Sequence, residues 1–196
     1  VVTGKGEIIK ANHIILTTGT FLRANLHIGP TMRIIGGRYG EENSTGLSHT
    51  MEKFGLTINR LTTATPPRID GRTIDYSSLE QQWGDDPPRP FCHLNEHIDE
   101  SIRGDQLCSF ITYTTDATHK IIQENIKLLP TFLGNYGKGQ GPRYCPSIEK
   151  KIIRFTDKAS HRIWLEPEGI KSHLVYPNGL STGFPPDVQL AILRSI

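Results

Sequence analysis

Cysteine is scarce in this chain. Its 196 residues hold Cys92, Cys108 and Cys145, three thiols spaced too irregularly for a disulfide framework, and they read as free thiols of a reducing compartment. Long apolar runs are missing as well. None approaches the roughly 20 residues of a membrane-spanning helix, so no membrane partner is expected, and no signal-peptide pattern is visible. An excess of one charge is also absent. With 22 Lys and Arg against 20 Asp and Glu, the net charge is +2, which demands no anionic partner. Internal repeats and low-complexity tracts are lacking. What remains is 36% hydrophobic and 21% charged, the composition of a globular chain able to bury one good core or somewhat more. It opens without methionine on VVTGKGEIIK, in what reads as a sheet, and an excised segment of a longer protein is the expectation.

Residues 1–10 read as a hairpin: VV, a TGKG turn, then EII. Gly4 and Gly6 lack the third glycine and the helix of a dinucleotide fingerprint. HIILTTGTFL, 13–22, is an apolar run of the buried-strand type ending at Gly19 between threonines. A small, backbone-exposing TTGT at a strand end suits close approach to a cofactor or an ordinary turn. A glycine-rich loop from 34 leads into a helix that Ser44 or Thr45 caps, with Leu47, Met51 and Phe54 as its apolar stripe. Arg38 in that loop suits a phosphate contact or simple loop stabilisation. Prolines 66, 67, 87, 88 and 90 make 64–91 loop-rich, with a helix expected around 77–83. CSFITYTT, 108–115, alternates like a strand. ATHKIIQENIKLL, 117–129, predicts an amphipathic helix with Ile121, Ile122, Ile126 and Leu129 on one face. Residues 151–169 predict strand, turn, strand. After a proline-bounded loop, Asp187 caps or starts a last helix.

The chemistry concentrates in GPRYCPSIEKK, 141–151. Cys145 stands between two prolines, beside Arg143 and before a helix-like run. A guanidinium and a helix start both favour the thiolate, the profile of a nucleophile; the other reading is a small buried hydrophobe. Cys92, His93, His97 and Cys108 do not match zinc spacing, and no metal is expected. Glu166 and Glu168 in LEPEG could pair as carboxylates, although adjacent like charges in a turn more usually read as solvated or as partners for arginines. Arg68, Arg72, Arg89, Arg143 and Arg154 are scattered candidates for phosphate or carboxylate contacts.

LTTGTFL (16–22), HIG (27–29), GGR (36–38), TPPRIDGRTIDYS (65–77), GPRYCPSIE (141–149), IWLEPEG (163–169), YPNGLST (176–182) and PPDVQ (185–189) run in order along the chain. Together they resemble one family, the FAD-dependent tRNA uridine 5-carboxymethylaminomethyl modification enzymes of bacterial and mitochondrial type. The resemblance implies an α/β fold: part of a doubly wound, glutathione-reductase-like FAD-binding domain with an inserted mixed α/β domain. On it, residues 1–58 are the edge of the FAD domain, 59–175 the inserted domain, and 176–196 a return segment with a truncated helix.

It also implies FAD, NADH as reductant, methylene-tetrahydrofolate as one-carbon donor, and tRNA as substrate. A GTPase subunit as partner, a homodimer of the full-length protein and a mitochondrial location (cytoplasm in a bacterium) follow in the same way. Cys145 becomes the catalytic thiol, Arg143 a contact to flavin or substrate phosphate, and Thr18, Gly19 and Thr20 neighbours of the cofactor. The chain departs from the family pattern at Thr62 and Ala64, where lysine and glycine are usual, and at Tyr39 in the glycine-rich loop. Two alternatives stand beside this reading: a non-catalytic module that grips tRNA or a partner, and the folate- and FAD-dependent tRNA uridine methyltransferases of related fold.

Overall fold

The computed structural model describes residues 1–90, 92, 94, 106–130, 141 and 147–196. The chain divides into two compact units: residues 1–26 with 33–58, and residues 27–32 with 59–196.

In the first unit the opening residues form the expected hairpin. Val2 bridges Ile8, and Thr3 N–H donates to Glu7 O at 2.9 Å. The apolar run that follows is not a strand. Ile14, Ile15 and Leu16 are 56%, 87% and 47% exposed, because no described strand lies alongside to take up their backbone groups. A two-stranded sheet pairs β1 (Asn25–Ile28) with β2 (Met32–Ile35), and the residues of its tip, 27–32, group with the second unit. Helix α1 spans Gly46–Lys53. Thr45 is its N-cap residue without a side-chain cap bond, and Ser48 is its buried residue; Phe54 of the expected stripe is exposed. The turn at 18–21 closes through Phe21 N–H to Thr18 O at 3.1 Å, and it seats the Phe21 ring against Gly37. A Cβ on Gly37 would stand 2.4 Å from Phe21 Cδ1. Gly37→Ala is therefore expected to cost about 1–3 kcal/mol, read by urea denaturation, since an aromatic ring has to move.

The second unit is built on a five-stranded antiparallel sheet in the order β3-β7-β6-β5-β4. Its strands are β3 (Ile69–Asp70), β4 (Glu80–Gln82), β5 (Ser109–Tyr113), β6 (Arg162–Pro167) and β7 (Leu174–Asn178). Helices α2 (Asp116–Asn125), α3 (Ile148–Arg154) and α4 (Pro186–Arg194) complete it. The register places Phe110 opposite Leu165, and Leu165 opposite Pro177, on one sheet face. There Ile163, Leu165 and Val175 join Ile122 and Leu129, Ile148 and Ile152, and Phe184, Val188 and Ile192 in one core. This is the period-2 face of a sheet meeting the 3.6-period faces of three helices.

The α2 helix starts at a capping box, in which Thr118 N–H donates to Thr115 Oγ1 at 3.2 Å and Thr115 N–H to Thr118 Oγ1 at 3.1 Å. Of the face expected over 117–129, Ile121 (half-buried) and Ile122 (buried) lie on α2, while Ile126 (half-buried) opens a 3-10 turn, Ile126–Leu128, that Leu129 (buried) follows. The end of β5 is tied to the start of β6, where Thr114 N–H donates to His161 O at 2.9 Å and His161 N–H to Thr114 Oγ1 at 2.8 Å. In α4 the first helical residue is Pro186, and Asp187 lies in the first turn as expected.

Two expectations are corrected. The helix expected around 77–83 is instead edge strand β4, pairing Glu80 with Ile111 and Gln82 with Ser109. Trp164 Nε1 donates to Gln82 Oε1 at 2.9 Å. An open strand edge outweighs the mild helix preference of Glu and Gln. The strand expected at the start of 151–169 is the end of α3. Ile152 lies one helical turn after Ile148, and both are buried, whereas Ile153 is 54% exposed.

Candidate functional site

Within the second unit, motif blocks far apart in sequence meet. Thr65 bridges Thr182, with Thr182 N–H donating to Thr65 O at 3.4 Å. Ile148 N–H donates to Ser181 O at 2.9 Å, so the SIE residues 147–149 lie on the same 180–182 segment. A Cβ on Gly141 would lie 3.6 Å from Thr62 O, which brings the start of the GPRYC block to the approach of the TPPR loop.

Arg68 is the organiser of that loop. Its Nη1 donates to Thr65 Oγ1 at 3.0 Å and to Pro66 O at 2.9 Å, and its Nε donates to Glu168 Oε1. The guanidinium also covers the Tyr176 ring, 4.4 Å from its centroid. Half-buried, it ties TPPR to LEPEG and to β7. Glu166, the other carboxylate of LEPEG, accepts from Asn178 Nδ2 at 3.0 Å. The two glutamates thus serve separate partners. Arg68→Ala is expected to destabilise the protein by about 1–3 kcal/mol, because it strips Glu168 and two loop acceptors at once. Arg68→Lys should recover little of this in the same denaturation assay, having neither the fork nor the flat face.

The other arginines are mostly engaged or solvated. Arg72 holds Asp70 through Nε and Nη2, at 2.9 and 2.6 Å, and this hydrogen-bonded guanidinium lowers the Asp70 carboxyl to about 2. Next to that pair a cleft of about 300 Å³ runs between Gly71, Tyr76, Pro167, Ile170 and His173. The Arg89 side chain is 88% exposed, and Arg154 stacks on Phe155.

Glu149 was not singled out in the sequence. It is a buried carboxyl, 6% exposed, and its burial raises its pKa. Its signal was its place beside Ile148 and before Ile152 on a short helix, which a reading of charge and solvation passes over.

Cys145 and Arg143 lie outside the described residues, as do His93 and His97. Of the other cysteines, Cys92 is exposed and Cys108 is buried. Among the described residues no group of three or more His, Cys, Asp or Glu is placed to hold a metal ion, and no helix is long and apolar enough to cross a membrane. In the first unit, Thr18 is half-buried, and Gly19 and Thr20 are exposed in one turn. Thr20 Oγ1 donates to Gly37 O at 2.8 Å, joining the LTTGTFL and GGR blocks. Gly19 is left-handed, at φ +55°, with nothing within 4 Å of where a Cβ would stand. Arg38 reaches toward Glu41 at 3.9 Å.

The second unit is thus a mixed α/β body in which Arg68 and the Thr65–Thr182 bridge bring loop segments together beside an antiparallel sheet. The glucose inhibited division protein A family matches residues 1–196, and the chain belongs to that family. Among curated relatives, it is 50% identical over 196 residues to the tRNA uridine 5-carboxymethylaminomethyl modification enzyme MnmG of Protochlamydia amoebophila, covering 100% of this chain and 30% of that protein. It is 51% identical over 183 residues to the MnmG of Syntrophotalea carbinolica, covering 93% and 29%. Of solved structures, Aquifex aeolicus GidA in its form I crystal superposes with a TM-score of 0.79 at 44% identity, over 99% of this chain and 32% of that one. The form II crystal gives 0.75 at 43% identity, over 91% and 27%. The chain thus spans about a third or less of the length of the proteins it matches.

Proposed function

We propose that the full-length protein containing this chain is a flavin-dependent enzyme that modifies C5 of the wobble uridine in tRNA, of the carboxymethylaminomethyl type, with a GTPase partner. The observation that carries the reading is identity of 50% along the whole chain to a relative bearing that reaction in its name. The meeting of the TPPR, SIE, LEPEG and LST blocks around Arg68 and Thr182 supports it. In this reading residues 1–58 are the edge of a doubly wound, glutathione-reductase-like FAD domain, 59–175 the inserted domain, and 176–196 the return segment. The functional protein is a homodimer. The named relatives are bacterial, which favours a bacterial cytoplasm over a mitochondrion.

The first unit fits a flavin at the turn of Thr18, Gly19 and Thr20, where a left-handed glycine leaves backbone open to close approach. FAD supplies reducing equivalents there, with NADH as the reductant and methylene-tetrahydrofolate as the one-carbon donor. Cys145 is the catalytic thiol. Added at C6 of the uracil ring, it makes C5 nucleophilic, or else it relays the carbon. Arg143 contacts flavin or a substrate phosphate and favours the thiolate. Loop arginines suit a folded RNA met mainly through its backbone.

The test is made on the full-length protein produced in cells that lack this modification. Bound flavin is read by visible absorbance and the wobble uridine by mass spectrometry of digested tRNA. Flavin with a restored modified base is the expected result. A protein that binds tRNA yet holds no flavin and restores no base is a binding module, and the enzyme reading fails.

A further inference from the structure

Leu165 of β6 and Pro177 of β7 face the core, so the residues beside them along each strand face outward. On that outer face stand Tyr113, Arg162, Trp164, Glu166, Tyr176 and Asn178. Asn178 is exposed, and its Nδ2 donates to Glu166 Oε1 at 3.0 Å. A carboxylate only accepts, so this bond decides which way round the amide sits. Oδ1 and the second amide hydrogen remain, an acceptor and a donor side by side, without a partner among the described residues. Gly179 closes the strand behind them. It is left-handed at φ +109°, and a Cβ there would stand 3.0 Å from Arg162 O, at the start of β6.

Arg162 is exposed and enters no ion pair among the described residues. Its guanidinium lies 5.7 Å from the centroids of both the Tyr113 and the Trp164 rings. Tyr113 is 41% exposed. Trp164 reaches across β5 to Gln82, 2.9 Å from its Nε1, so its ring spans the strand on which its opposite residue, Ile111, is buried. The carboxylates of this side are engaged or peripheral: Glu166 holds the amide, Glu168 holds Arg68, and Glu80 stands on the edge strand β4.

Flat rings, an unpaired cation and a locked acceptor–donor pair are what proteins use to hold unpaired RNA. Its bases stack on aromatic side chains, its phosphates meet cations, and its base edges are read by hydrogen bonds. Uracil presents the N3–H donor next to a carbonyl acceptor, which matches the free Oδ1 and N–H of Asn178. Cytosine in the same pose presents an acceptor and then a donor, and leaves both amide groups unsatisfied.

We infer that this outer sheet face binds an unpaired RNA strand, with Asn178, oriented by Glu166, reading the edge of a uridine. Trp164 and Tyr113 stack bases, and Arg162 meets the backbone phosphate. The surface would serve the enzyme proposed above, and its use on tRNA rests on that reading.

The test takes full-length protein and two labelled probes, oligouridylate and oligocytidylate, with binding followed by fluorescence anisotropy over a range of salt. The parent is expected to bind oligouridylate about tenfold more tightly. Asn178→Ala should abolish that preference, weakening oligouridylate and leaving oligocytidylate as it was. Glu166→Gln, which frees the amide to turn over, should reduce the preference. Arg162→Ala should weaken both probes about fivefold and flatten the salt dependence, and as it removes an exposed side chain its urea midpoint should match the parent's.

Equal binding of the two probes by the parent, or an unchanged preference in Asn178→Ala, overturns the reading of uracil by Asn178. Unchanged binding by Arg162→Ala overturns the surface itself. So does a parent that binds neither probe, the face then being covered by another part of the protein or by a protein partner. A parent that prefers oligouridylate and modifies no tRNA overturns the functional reading above and leaves the RNA surface standing.

Discussion

Replacing Cys145 with alanine in the full-length protein is expected to abolish wobble-uridine modification while bound flavin stays in place. The loss should be about a thousandfold or more, because a nucleophile, the role proposed for Cys145, is not replaced by its neighbours and the remaining groups retain only binding. Flavin absorbance and tRNA mass spectrometry read the two effects on the same sample. Flavin retention is expected because the thiol is proposed to act on the uracil ring, whereas the flavin is proposed to lie at the turn of Thr18, Gly19 and Thr20, which Thr20 Oγ1 ties to Gly37 O. Persistence of the modified base would leave Cys145 as packing. Loss of flavin together with the base would make it structural support for the cofactor.

Phe184→Ala should have the largest effect on stability. Phe184 is wholly buried, in a core shared with Ile122, Ile148, Ile163 and Ile192. Its backbone is held on both sides, N–H to Thr182 Oγ1 and carbonyl to Gln189 Nε2. The surrounding chain therefore cannot collapse into the space left by the ring, and about 3–5 kcal/mol should be lost. Urea denaturation of the full-length protein would show a lower midpoint with an unchanged slope. A loss below about 1.5 kcal/mol would mean that the site relaxes, and would remove Phe184 as the centre of this core.

Elements with a strong local pattern were legible in the sequence. The α2 helix could be read because Ile121, Ile122, Ile126 and Leu129 recur at helical spacing. The TGKG hairpin, β5 and the start of α4 at Pro186-Asp187 could be read from their turns and alternation. Where neighbours decide, local pattern misled. Ile14, Ile15 and Leu16 read as a buried strand, although burial needs a partner that no described residue supplies. Glu80 to Gln82 read as helix because the free edge of β5 cannot be seen from them. Ile152 and Ile153 read as strand, although only one of them faces the core.

The candidate site divides along the same line. By itself the sequence determined the family, through blocks whose residue types and order survive any arrangement in space. It also marked Cys145 and the TTGT turn as places for chemistry, since reactivity and backbone freedom belong to residue type. Only the tertiary structure decided which blocks meet: Thr65 with Thr182, Arg68 with Glu168 and Tyr176, and Ile148 with Ser181. It alone made Glu149 a buried acid. A glutamate is solvated by default in water, and what raises the pKa of Glu149 is its loss of solvent, a property of position in the fold that is carried by no single stretch of sequence.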